Sequence, residues 1–144
     1  MKQLITFILS LTFAVTAFAR DDVGDYNIKE ALAHPEAEEI LGTDVRFYFG
    51  SQTHKKPAKT FGEFKTNKKT NAFNKSDKEA CEWVFLSAMK SLKDRALREG
   101  GNAIINIKSN YKGNLTTSNE TFQCGAGAFV AGVALVGTVV KIAD

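Results

Sequence analysis

Two cysteines, Cys81 and Cys124, are the residues of this 144-residue chain best placed by type to do covalent chemistry. What they do depends on compartment: in an oxidising one a pair is read first as a disulfide, whereas inside a cell it suggests a thiol or metal role. The N-terminus bears on that choice. Met1 and Lys2 give a short positive start, residues 4–15 an apolar run, and Ala17-Phe18-Ala19 a small-x-small cleavage site, the layout of a secretory signal peptide over residues 1–19. The expected location is therefore periplasmic or secreted. Arg20 follows Ala19 where a bacterial lipid anchor would need cysteine, so no such anchor is expected. A redox-active pair wants short Cys-x-x-Cys spacing and a depressed thiol pKa. These two are far apart, so structural pairing is expected, closing a loop of about 44 residues and stabilising by about 4 kcal/mol in the loop-entropy model.

Other reactive side chains are sparse. Only His34 and His54 could join a metal site, they are distant in sequence, and a disulfide would remove both thiols, so neither a metal nor a cofactor is expected. No nucleophile elbow, zinc-protease helix or phosphate-cradling loop occurs; Gly100-Gly101 is a helix stop. No catalytic residue is assigned and an enzyme is not expected; an unfamiliar active site would need a pocket gathering His54 with carboxylates. The sequon matches at Asn74, Asn114 and Asn119 are frequent by chance and carry no weight.

Charge is the remaining signal, in its distribution rather than its sum of +3. Residues 21–44 hold eight acids against Lys29, and residues 54–78 hold eight lysines against Glu63 and Asp77. These stretches could pair with each other or leave the lysines free to meet an anionic surface. The candidate contact residues are Lys65, Lys68, Lys69 and Lys75, centred on Lys68 and Lys69, beside Phe61, Phe64 and Phe73.

The elements that must position these residues follow from pattern. Residues 27–41 read as short helical turns broken at Pro35. Residues 45–49 are β-branched and aromatic and predict a strand; residues 59–73 predict a second extended region whose later half reads equally as loop. Ser76 to Glu79 fits a capping box, and the helix it starts is predicted to run to Glu99 and stop at Gly100-Gly101. At about 100° per residue, Cys81, Val84, Phe85, Ala88, Met89, Leu92 and Ala96 share one stripe, the predicted core face. A second apolar group, Trp83, Leu86 and Leu97, lies opposite and is expected to be covered by the acidic N-terminal segment rather than by a partner chain, since an intramolecular cover needs no association entropy. Residues 102–107 predict a central strand and residues 111–114 a turn, with a return strand from 119 to 123. The apolar, glycine-spaced residues 125–142 read as a buried strand rather than a membrane span, because glycines and valines cost helix propensity.

The predicted architecture is α+β: a small, mostly antiparallel sheet of about four strands in β-β-α-β-β order, one long helix on one face, and a short N-terminal helical segment. Residues 20–44 form an acidic N-terminal segment and residues 45–144 a single domain.

The runs NKKTNAFNKSDKEAC (67–81), EGGNAI (99–104), CGAGA (124–128) and AGVA (131–134) give the chain a resemblance that covers nearly all of the exported part, residues 45–50 included. It resembles a family of small exported bacterial proteins commonly labelled "excinuclease ATPase subunit". That label needs a phosphate loop and zinc-binding cysteine clusters that this sequence lacks, so the resemblance implies an address and a fold but no activity. The helix ending in Gly-Gly-Asn-Ala before an Ile-rich strand is also similar to YbjQ-like heavy-metal-binding proteins and RcsF-like envelope stress sensors, which implies a helix laid on a sheet. The expected function is non-enzymatic: an exported envelope protein that binds an anionic envelope component or a protein through its lysine-rich surface, with nucleic acid not expected. The alternative is an envelope stress or metal sensor acting by protein–protein contact, which predicts Trp83 and Leu86 exposed or loosely covered.

Overall fold

Local chemistry sets the longest element of the computed structural model, which describes residues 20–143. The signal-peptide reading of residues 1–19 lies outside these described residues. In chain order the elements are β1 (Asp22–Asn27), α1 (Ile28–Leu32), α2 (Ala37–Leu41), β2 (Arg46–Phe49), β3 (Lys59–Asn71), α3 (Asp77–Glu99), β4 (Ala103–Tyr111), β5 (Asn114–Thr116), β6 (Thr121–Ala126) and β7 (Val130–Lys141). Ser76 accepts the Glu79 amide at 3.1 Å and starts α3, and Gly100, at φ +88°, ends it in a left-handed cap that L side chains resist. Every residue of the predicted core stripe is buried. Phe85 stacks on Phe122 with ring centroids 4.1 Å apart and lies 6.0 Å from Phe49, so α3, β6 and β2 meet in one aromatic cluster.

The four-strand, mostly antiparallel sheet is not what forms. The sheet is mixed, has seven strands and curls into a half-barrel. β7 is its axis: β3 pairs along all of one side, while β4 and β6 share the other. β1 adds to β6, β5 adds to β4, and β2 pairs parallel to β4. Three causes separate this from the β-β-α-β-β expectation. β1 is acidic and exposed at alternate positions, so it carries almost no apolar signal, although all six of its residues pair with β6. The Lys-Thr-Asn half of β3 is strand to Asn71, because an edge strand can turn polar side chains outward while its backbone is satisfied by β7. The parallel β2–β4 pair rests on a long crossover through β3 and α3, which no local pattern encodes.

Register shifts add the curl. One lies between Thr60 and Gly62 on β3, and a second between Ile105 and Lys108 on β4, where Asn106 takes a φ of 52°. An extra residue of this kind bends a strand and raises its twist. The 125–142 stretch, read as one buried strand, divides instead: Gly125 and Ala126 end β6, residues 127–129 turn the chain, and residues 130–141 form β7; among the described residues no helix is long and apolar enough to cross a membrane.

The acidic stretch lies over α3. Ile28, Ala31, Ala37 and Leu41 are buried in the same core as Leu86, and His34 stacks on Trp83 at 5.2 Å. Leu86 is therefore buried beneath this segment and Trp83 half-buried against it, whereas Leu97 remains 45% exposed. The entry to β1 is tied down by charge: Arg20 bonds Asp77 at 2.9 Å, and Asp21 accepts from Tyr111 at 2.8 Å and from Lys112. The Tyr111 ring crosses Gly125, where an added Cβ would lie 1.9 Å from the Tyr111 oxygen. Only a bare backbone lets that tether form.

These ties set an acid response. The hydrogen bond from Lys112, then that from Tyr111, holds Asp21 below its ordinary carboxylate value of 3.8, and Arg20 does the same for Asp77. Both groups are depressed in the folded state, so their contribution is full above that value and is lost as pH falls through the folded pKa. Stability is expected to hold down to about pH 4 and then decline, with a shallower decline in Asp21→Asn and Asp77→Asn; melting curves at stepped pH measure it.

Candidate functional site

Along the free side of β3, α3 presents Ser87, Lys90, Ser91, Asp94, Arg95 and Arg98, residues that recur every three or four positions and so form one stripe flanking the buried one. From β3, Lys65, Lys68 and Lys69 border the same recesses, but the pleat divides them: Lys68 stands on the α3 side with the core-packed Phe64 and the buried Thr66, whereas Lys65 and Lys69 stand on the other side of the strand, Lys69 over Gly132. The two walls enclose adjoining recesses of about 470 and 240 Å³ that share Ser91 and Arg98. Phe64 and Leu92 supply apolar lining, with the Arg95 guanidinium 4.0 Å from the centre of the Phe64 ring.

Six cations line this trough. Lys90 pairs with Asp94 at 2.8 Å and Arg95 with Glu99 at 2.9 Å, both one helical turn apart. Among the described residues, Lys65, Lys68, Lys69 and Arg98 have no carboxylate within ion-pair distance. Glu63 and Asp94 are the acids of the lining. The two charge blocks seen in sequence scarcely meet: of the eight lysines between residues 54 and 78, only Lys78 reaches the acidic stretch, at Glu30, 3.3 Å away. Glu82 also bonds Lys78 and, with Glu30, raises its pKa.

The structure thus sets Lys65, Lys68 and Lys69 along one edge strand, with Lys68 on the α3 side and the other two on the reverse, and leaves Lys75 out. Lys75 follows the end of β3 and gives its ammonium to the Asn71 carbonyl at 2.9 Å. The phenylalanines divide as well. Phe61 and Phe64 pack against the core, whereas Phe73 is 55% exposed and stacks on Phe129 at 5.7 Å. Sequence reasoning missed the wall supplied by Lys90, Arg95 and Arg98; the polar stripe of α3 was the signal that could have found it.

Cys81 and Cys124 form the disulfide, with Cα atoms 5.9 Å apart, joining the first turn of α3 to β6. Both are fully buried. His34 lies on Trp83, and His54 faces Tyr48 and bonds the Lys55 carbonyl at 2.8 Å. Among the described residues no three His, Cys, Asp or Glu side chains converge as metal ligands would.

A recess of about 610 Å³ opens between α1 and β2 over Ile28, Leu32, Phe47 and Phe49. Gln52 closes part of its rim, accepting the Phe49 amide at 2.7 Å and donating to the Asn119 carbonyl at 3.3 Å. His54 lines neither this recess nor the basic trough. Of the two residues expected to be exposed or loosely covered in a contact-driven sensor, Leu86 is buried and Trp83 is half-buried beneath His34. No protein-family model, curated protein or solved structure gives a significant match to the chain.

Proposed function

We propose that this chain is a non-enzymatic exported domain that binds an anionic component of the cell envelope in the trough between β3 and α3. The observation that carries the reading is the gathering of Lys65, Lys68, Lys69 and Arg98 with no carboxylate paired to any of them. Unpaired cations bordering one recess keep a favourable field that a neutralised surface loses, and that field draws in a negatively charged partner. The buried disulfide supports export, since such bonds persist in oxidising compartments.

The test is a panel of three polyanions: anionic phospholipid vesicles, a soluble oligouronate and polyphosphate. At least one is expected to bind in low salt and to be released as ionic strength rises. Lys68→Glu with Lys69→Glu should weaken that binding about thirtyfold, taking roughly 1 kcal/mol for each lysine held against an anionic surface. Binding that the double variant leaves intact, or no binding to any of the three, would rule the trough out.

A further inference from the structure

We infer that the partner is a linear acidic glycan lying lengthwise in this trough, its carboxylates on Lys68 and Arg98 and its hydroxyls on the residues between them. The inference rests on the reading that the trough is the contact surface. Its first support is shape. The α3 wall from Ser87 to Arg98 runs about 16 Å at 1.5 Å per residue, with β3 facing it, so the cations border an elongated recess rather than a flat field. A single extended polymer can touch both walls at once, while a planar headgroup surface meets only their rims.

The second support is composition. Between the cations sit the hydroxyls of Ser87 and Ser91 and the carboxylates of Glu63 and Asp94. Ser and carboxylate oxygens accept hydrogen bonds from sugar hydroxyls, so they suit a chain in which acid groups alternate with hydroxyls. The same carboxylates repel a backbone as densely charged as polyphosphate.

Aromatic placement argues against nucleic acid. Single strands are held by bases stacked on exposed aromatic faces. Here the Phe64 ring is capped by Arg95, and Lys59 lies 4.9 Å over Phe61. The one exposed aromatic stack, Phe73 on Phe129, lies beyond the C-terminal end of β3 and lines neither part of the trough.

Titration of the disulfide-intact protein with a soluble oligogalacturonate, beside its methyl ester, tests this. The acid is expected to bind, the neutral ester at least about tenfold more weakly, and Arg98→Glu and Lys68→Glu/Lys69→Glu should each cost about tenfold or more, since each reverses unpaired charge on one wall. Ser87→Ala with Ser91→Ala should weaken oligogalacturonate while leaving any polyphosphate binding unchanged. Lys75→Glu, outside the trough, should change neither, and unaltered melting curves would show that every variant is folded. Equal binding of acid and ester, or indifference to Arg98→Glu, overturns the inference. Vesicles or polyphosphate bound through Lys68 and Lys69 without oligogalacturonate would overturn the glycan and leave the trough standing; no binding at all would overturn both.

Discussion

Replacing Cys81 and Cys124 together by alanine is expected to lower the unfolding free energy by about 4 kcal/mol and the melting temperature by roughly 12–16 °C. The two residues are 43 apart in sequence, so the bridge removes a long loop's freedom from the unfolded chain. What it joins matters equally. Cys81 is in the first turn of α3, and Cys124 lies in β6, which carries β1 on one side and meets β7 on the other. The bond therefore fastens the helix directly to the arm of the sheet that holds β1. Melting with and without reductant, beside the double variant, measures the effect. A reduced protein that melts with the oxidised one would show that the folded contacts suffice without the bond.

Phe85→Ala is expected to cost about 3–5 kcal/mol, the range for deleting a fully buried aromatic. Phe85 has no exposed surface and links two other rings, Phe122 on β6 and Phe49 at the end of β2. Loss of its ring takes the shared surface from both partners and leaves a void that α3 cannot close while the disulfide pins its first turn. Phe85 is one helical turn from Cys81, and Phe122 is two residues from Cys124, so the two perturbations act on one junction. Denaturant unfolding of the single and combined variants should give a non-additive cycle. A loss below about 1 kcal/mol for Phe85→Ala would mean that the aromatic cluster contributes little to stability.

Both predictions concern α3, the part of the fold that the sequence displays most openly. Its start is decided by the Ser76 hydroxyl, its end by Gly100, and its buried face by a 3.6-residue repeat, all of them interactions within a few residues. The sheet depends on partners remote in sequence. β1 looks like an acidic tail until β6 pairs with it, and the Lys-Thr-Asn half of β3 looks like loop until β7 satisfies its backbone. The parallel β2–β4 contact exists only after β3 and α3 have carried the chain back across the sheet. The trough divides in the same way. Lys65, Lys68 and Lys69 are legible as a run of charge, but the run cannot say that Lys75 turns back to Asn71 or that Arg98 will face Lys68.

Twelve of the thirteen residues of β3 pair with β7 on one side, and among the described residues nothing pairs on the other. A long open strand edge is a template for another strand, including the same strand of a second copy. Lys59, Lys65, Lys68 and Lys69 make that encounter repulsive, so they act as gatekeepers against fibril-like stacking as well as a landing place for a polyanion. The two roles share one edge: a partner seated in the trough neutralises the lysines and at the same time lies along the strand that they guard.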